Sequence, residues 1–338
     1  MKVLVNGIGN IGTTLACLLV EYKDALNISE IYALKNTPRP WQDDDLNYLR
    51  ELGITICSQK SDDGITAVDS IIDEVQYIFD CTNNGGGVRN KEWYNDLPNL
   101  LAASAQGSEK EFGLSFMSGA NNQVLEGEKF AHIVSCNTHS LSSLLATFTG
   151  DNLSNHKSSD FVIVRRSEDI GNHERLVAAN VVARHLDDQI GTHHSIDVKD
   201  LYATVDKTVE VTSSDVTTPS QLMHSVRFNI QFKNERSKDE LMHRIASSSL
   251  ISTTVKFDSN VIFERGRRIG FHGRIYSHAI VIANNMLVTP TSVKGWAFIP
   301  QEGNTLLSTL HAFMIQTNHL GKEKVMHLLV NDLLRKNW

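Results

Sequence analysis

The first two dozen residues constrain the fold more than any other stretch. Lys2–Asn6 is a short apolar run of strand type, and Gly7, Ile8, Gly9, Asn10, Ile11 and Gly12 follow at once. Leu15, Leu18, Leu19 and Tyr22 then recur at helical spacing. A G-x-G-x-x-G pattern is weak alone, but between a strand and a helix it specifies a dinucleotide-binding turn. Gly7 permits the tight turn, Gly9 lets a pyrophosphate approach the backbone, and Gly12 lets helix pack on sheet. The helix N-terminus then presents N–H groups to the phosphates. The alternative is a strand–turn–helix that holds no ligand.

The strand that follows, Glu30–Leu34, ends on Leu34, Lys35 and Asn36, where a fold specific for NAD carries an acidic residue to grip the ribose 2′-hydroxyl. Lys35 and Arg39 suit a 2′-phosphate instead, so NADP is expected, with NAD also admissible. The competing reading makes both of them solvated loop charges. Residues 46–52 form a short helix stopped by Gly53, and residues 75–82 a buried strand. A glycine-rich turn at 83–87 closes that strand. Ligands of open parallel sheets lie outside such carboxyl ends, so Thr82 and the Gly85–Gly87 backbone are candidate cofactor contacts. A further strand at 100–103 leads to Gln106, Gly107 and Ser108.

At 338 residues the chain is long for one domain, and two are expected. A net charge of −7 argues against nucleic acid as the main partner, because phosphate-backbone binding needs a basic face. The four cysteines, Cys17, Cys57, Cys81 and Cys136, are widely spaced without a CxxC pair, so neither a disulfide framework nor a zinc site is expected. They suit a reducing cytoplasm. No run approaches the roughly 18 apolar residues of a membrane helix. The N-terminus enters a strand at once, leaving no room for a signal peptide.

The chemistry gathers at residues 133–139, Ile-Val-Ser-Cys-Asn-Thr-His, where an apolar strand pattern runs into a helix. Ser135 is a candidate cap for that helix, and Leu141, Leu144 and Leu145 continue it to about Gly150. A cysteine at a helix N-terminus feels the positive end of the macrodipole, which favours thiolate and stabilises a developing oxyanion. The alternative for Cys136 is a buried structural cysteine. Beyond Gly150, strand-like alternation dominates, at 161–166, 202–211 and 226–232, with a helix at 238–245. A hairpin is expected around Asn284 and Asn285. Helical spacing returns at 305–316 and 322–334. The reading is an α/β Rossmann domain, residues 1–135 and 305–338, plus an α+β catalytic domain with a mostly antiparallel sheet, residues 136–304. The C-terminal helix returns to the first domain.

Several motifs in order resemble the archaeal type of glyceraldehyde-3-phosphate dehydrogenase. They are VNGIGNIG at Val5–Gly12, DCT at Asp80–Thr82, GLSF at Gly113–Phe116, VSCNT at Val134–Thr138, VIVRR at Val162–Arg166, HH and DVK within His193–Lys199, and LMH at Leu222–His224. The resemblance covers most of the chain except about residues 41–73, which are shorter than the family's. It implies that Cys136 is the nucleophile and His224 its base partner. It further implies that Ser135, Asn137, Thr138, Arg165, Arg166, His193 and His194 serve the substrate phosphate and the attacking inorganic phosphate. Asn304 matches the family's asparagine that holds the nicotinamide carboxamide, with two extra residues before it. A homotetramer acting on a phosphorylated aldehyde with NAD(P) is implied, without metal.

The departures fall near the acyl and phosphate pockets. His139 stands where the family has threonine, Ser220 and Gln221 precede LMH in place of two threonines, and Arg165–Arg166 continue into Ser167, Glu168, Asp169 and Ile170. Gln106, Gly107 and Ser108 replace a Gln-Gly-Gly. These changes leave two further readings: a related phosphorylating enzyme such as aspartate-semialdehyde dehydrogenase, and a cofactor-binding homologue without catalysis.

Overall fold

The structure, a computed structural model, describes residues 1–36, 43–59, 65–107, 109–168, 176–220 and 222–338. Arg39, Ser108, Asp169, Ile170 and Gln221 lie outside them. The chain divides into two compact units: Met1–Ser118, Asn122–Ser135 and Leu306–Leu328 in one, and Gly119–Asn121, Cys136–Thr305 and Leu329–Trp338 in the other.

The first unit is built on β1 (Lys2–Asn6), α1 (Asn10–Glu21), β2 (Glu30–Leu34), α2 (Asp43–Glu51), β3 (Thr55–Ser58), β4 (Thr66–Ala67), β5 (Tyr77–Asp80), α3 (Gly86–Asn95), β6 (Ala102–Gln106), β7 (Leu114–Phe116) and β8 (Phe130–Ile133). Among the described residues these strands form an eight-stranded sheet in the order β4-β3-β2-β1-β5-β6-β8-β7. Every recorded pairing in it is parallel. Strands covered on both faces need continuous apolar runs, and β1 and β5 have them. The order reverses beside β1, the topological switch point where such sheets bind nucleotides. This is a Rossmann-like sheet.

The second unit contains α4 (Cys136–Thr149), β9 (His156–Arg165), β10 (Val181–Val182), α5 (His193–Ala203), β11 (Val211–Thr217), β12 (His224–Phe232), α6 (Lys238–Ser247), β13 (Ile251–Thr254), α7 (Ser259–Ile269), β14 (Ala279–Ile282), β15 (Leu287–Thr289) and β16 (Ser292–Ile299). Its sheet runs β10-β11-β9-β12-β16-β14-β13, with β15 also on β16. It is mixed, because β9 pairs β11 and β13 pairs β14 in parallel while the other pairings are antiparallel. Leu141, Leu144, Leu145 and Phe148 of α4 pack with Phe161, Val226, Phe228 and Ala297 of the sheet. A helix buried on nearly every side, as α4 is, belongs to a core rather than a surface.

Two helices close the chain, α8 (Leu306–Gln316) and α9 (Lys322–Leu333). Ala312 and Ile315 of α8 pack with Phe116, Ala131 and Ile133 in the first unit. The last ten residues count with the second unit, where Trp338 N–H donates to the Thr253 carbonyl at 2.9 Å. The domain reading had assigned them to the first.

Three local expectations are corrected. The strand expected at 202–211 is the end of α5 followed by β11. Tyr202 is buried on the helix and donates its hydroxyl to the Ser142 carbonyl at 3.2 Å. The hairpin expected around Asn284 and Asn285 does not form, since β14 and β15 each pair with β16 instead. Residues 83–87, read as a turn only, lead into α3, a helix whose glycine-rich start masks its periodicity. No helix among the described residues is long and apolar enough to cross a membrane.

Candidate active site

In the first unit the glycine turn has the geometry its pattern requires. Gly7 lies at φ +96°, and a Cβ there would meet the Cys81 carbonyl and Thr82 N within 2.9 Å. A Cβ on Gly12 would sit 2.0 Å from the Gly7 carbonyl oxygen. Both positions are closed to any side chain. Gly9, by contrast, is exposed and faces open space, and the first turn of α1 holds no acidic residue. Ile8 is buried, Asn10 is exposed and Ile11 is half-buried. The backbone at Gly9 therefore leaves room for a phosphate against the N-terminus of α1. Lys35 Nζ lies 3.5 Å from the Ile8 carbonyl, which sets its charge beside this turn.

The second glycine segment is arranged otherwise than expected. The buried Glu109 carboxylate accepts the N–H groups of Gly85 and Val88 at the start of α3. A carboxylate of the chain thus already fills that helix N-terminus. The Thr82 hydroxyl donates to Asp80 Oδ1 at 2.5 Å, and the other Asp80 oxygen accepts from Asn90 and Tyr94. Gly107 lies just past β6, where its carbonyl accepts from His132 Nε2 at 2.6 Å.

In the second unit Cys136 is the first residue of α4 and is partly exposed. Ser135, half-buried, directly precedes it, and Asn137 and Thr138 are buried in the first turn. None of the four cysteines is in a disulfide. Burial pushes the thiols of Cys17, Cys57 (to about 11) and Cys81 upward, which suppresses their thiolates.

The turn after β16 ties the two proposed reacting residues together. Asn304 Nδ2 donates to the Cys136 carbonyl at 3.0 Å and to the His278 carbonyl at 3.2 Å. Three residues earlier, Gln301 Oε1 accepts the His224 backbone N–H at 3.1 Å, and its amide nitrogen lies 2.8 Å from His224 Nε2. His224 opens β12, and its Nδ1 accepts the Arg166 backbone N–H at 2.8 Å. Burial, then the charges of Arg166, Arg165 and His194, hold this imidazole well below its ordinary pKa. It is therefore neutral near pH 7. Asn304 Oδ1 is buried without a hydrogen-bond partner, an acceptor left open to an incoming amide.

The cationic residues separate into two groups. Arg165 donates to Asp215 Oδ2 at 3.3 Å and His194 Nε2 donates to the same oxygen at 3.1 Å. The Asn137 amide lies 3.5 Å from His194 Nδ1. Burial raises the Asp215 pKa, but the His194 hydrogen bond and the charges of His194 and Arg165 outweigh it and hold the carboxyl below its usual range. Arg166 turns elsewhere, to the Leu222 carbonyl at 3.1 Å and towards Glu302 at 3.9 Å. Glu302 also meets Arg267 at 2.7 Å and Arg274 at 3.2 Å. His193 and His194 lie at the start of α5 with ring centroids 3.9 Å apart and planes tilted by 44°.

Sequence reasoning missed Asp215, Glu302, Gln301 and Glu109. The first sits in an alternating strand where it looks like a solvated position. The middle two looked like filler before Asn304. Glu109 had no motif around it. His278 was also missed: its Nδ1 lies 2.7 Å from Ser143 Oγ, and its ring is 4.8 Å from that of His139.

No protein-family model matches the chain. It is similar to a protein of Methanobrevibacter smithii named glyceraldehyde-3-phosphate dehydrogenase, at 27% identity over 74% of this chain and 73% of that one. A protein of the same name from Sulfurisphaera tokodaii is 24% identical over 99% of this chain and 97% of its own. Another, from Sulfolobus acidocaldarius, is 23% identical over the same shares. Over nearly its whole length, then, this chain is a relative of archaeal proteins named glyceraldehyde-3-phosphate dehydrogenase.

Proposed function

We propose that this protein is a phosphorylating glyceraldehyde-3-phosphate dehydrogenase that uses NADP in preference to NAD. The observation that carries the reading is the turn at residues 300–304, which holds the Cys136 carbonyl through Asn304 and the His224 imidazole through Gln301. A helix-start cysteine and a buried histidine thus both contact one turn, a pairing that covalent aldehyde chemistry can use.

Cys136 attacks the aldehyde carbon as thiolate and forms a thiohemiacetal. The N-terminus of α4 stabilises the oxyanion that develops. His224, neutral at working pH, takes the hydroxyl proton as the carbonyl reforms to give the thioester. A nicotinamide cofactor, when bound, supplies the acceptor for the hydride that leaves this carbon. The Gly7–Gly12 turn would hold its pyrophosphate and Lys35 its 2′-phosphate. Asn304 Oδ1 would take a carboxamide N–H. Inorganic phosphate then displaces Cys136 and leaves as part of the acyl phosphate. Arg165, braced by Asp215 beside His194, is the cation that the geometry best equips to hold a phosphate, because its side chain is 37% exposed whereas that of Arg166 is 4% exposed.

An NADP-linked assay with glyceraldehyde 3-phosphate tests the reading. Turnover that requires inorganic phosphate and is abolished in Cys136→Ser is expected. Aspartate semialdehyde accepted in preference would favour the related phosphorylating enzyme. Activity of the serine variant within about tenfold of the unaltered protein would remove Cys136 from the mechanism.

A further inference from the structure

Arg89 is a cation in an unfavourable place. It is the fourth residue of α3, where the positive end of the macrodipole repels a guanidinium. It is exposed, and its side chain has no hydrogen bond or ion pair among the described residues. Glu109 fills the start of the same helix through the Gly85 and Val88 N–H groups, without pairing with Arg89. The guanidinium instead lies along the Gly85–Gly86 backbone. One terminal nitrogen is 3.0 Å from where a Cβ on Gly85 would stand, and the other is 3.8 Å from a Cβ on Gly86. A residue that breaks a local rule without an offsetting contact is expected at a functional site.

The backbone under Arg89 belongs to the rim of the switch-point crevice. A Cβ on Gly86 would strike the Thr82 hydroxyl, and a Cβ on Gly7 would strike Thr82 N. The turn at 82–86 is thus packed on the glycine turn that leaves room for a phosphate at Gly9. On the other side of β1, Lys35 Nζ stands at the end of β2, 3.5 Å from the Ile8 carbonyl. β2 and β5 are the two strands that pair with β1, both in parallel. A dinucleotide with its pyrophosphate at Gly9 and its ribose at the end of β2 has its base in the crevice that these strand ends bound.

We propose that Arg89 is a binding residue for the cofactor's adenine, its planar cation stacking on the base with the Gly85–Gly86 backbone as support. This rests on the Gly7–Gly12 turn holding NAD(P). The Glu109 carboxylate repels a phosphate from the start of α3, which favours an uncharged base as the partner of Arg89. Adenine is common to both cofactors. Arg89 therefore supplies affinity, and Lys35 the choice between NADP and NAD.

The test uses the full chain, unaltered and as Arg89→Ala, Arg89→Lys and Lys35→Ala, in calorimetric titrations with NADPH, NADH and ADP-ribose. Arg89→Ala should weaken all three alike, by about tenfold, with little change as salt rises. Arg89→Lys should recover only part of that loss, because an ammonium has no plane to stack. A loss under about twofold in Arg89→Ala would overturn the proposal. So would a loss that lysine fully restores and salt abolishes, since a phosphate contact would then explain it. Lys35→Ala separates these outcomes from the cofactor reading itself. Selective loss of NADPH there, beside unchanged affinities in Arg89→Ala, would remove only the adenine contact. No binding of any of the three ligands to the unaltered protein would remove both.

Discussion

Acid should loosen the first unit through His311. The residue lies on α8, 4% exposed, with Nδ1 at 2.7 Å from Ser118 Oγ and its ring edge-on to Phe116 at 6.1 Å. Burial, aided by the charge of Lys322, pulls its pKa from 6.5 down to about 4. The unfolded chain therefore binds this proton first as pH falls. The stabilisation is fully present above about pH 6.5, is lost between 6.5 and about 4, and is gone below that. A gap of about 2.5 units at 1.36 kcal/mol each amounts to about 3 kcal/mol, a sizeable share of a domain's 5–15 kcal/mol. The perturbation is His311→Gln, which keeps an acceptor for Ser118 but does not titrate. Urea unfolding followed by circular dichroism, with hydrogen exchange of the α8 amides, gives stability from pH 7.5 to 4.5. The substitution should cost about 1 kcal/mol at pH 7.5 and flatten the acid limb by up to about 1.4 kcal/mol per pH unit. Parallel curves for the two proteins, differing by a constant offset, would refute the argument, because every carboxylate and every other histidine is common to both.

Three further outcomes are expected. Lys35→Ala combined with Arg39→Ala should weaken NADP much more than NAD in calorimetric titrations, and the difference should shrink as salt rises; equal losses would make both residues plain loop charges. Asp215→Ala strips His194 and Arg165 of their shared carboxylate and should lower unfolding stability by about 2–3 kcal/mol, less than a fully buried pair because Arg165 is partly solvated; a loss below about 0.5 kcal/mol in urea melts would count against the network. Gly12→Ala drives a methyl into the Gly7 carbonyl and should abolish NADP binding while the second unit keeps its thermal transition; binding within about threefold of normal would mean the turn yields.

Much of the scaffold was legible before any coordinate. Lys2–Asn6 and Glu30–Leu34 are β1 and β2 at the expected bounds, because buried parallel strands demand short, continuous apolar runs. The glycines at 7 and 12 were readable for the same reason, since each marks a place where a Cβ has nowhere to go. The helix start at Cys136 followed from a strand pattern giving way to leucines at helical spacing. Local rules lost where partners came from far along the chain. Tyr202 alternates like a strand residue, yet its environment is the carbonyl of Ser142, sixty positions away. Asn284 and Asn285 signal a tight turn, but β16 offers both β14 and β15 a better edge than either offers the other. The polar residues show the division most clearly. Cys136 was a candidate from its place at a helix start and His224 only from the resemblance, whereas Asp215, Glu109, Gln301 and Glu302 acquire their contacts only through burial. A carboxylate or an amide becomes a structural partner when folding removes water and leaves particular donors within 3 Å. No local pattern records which donors those will be.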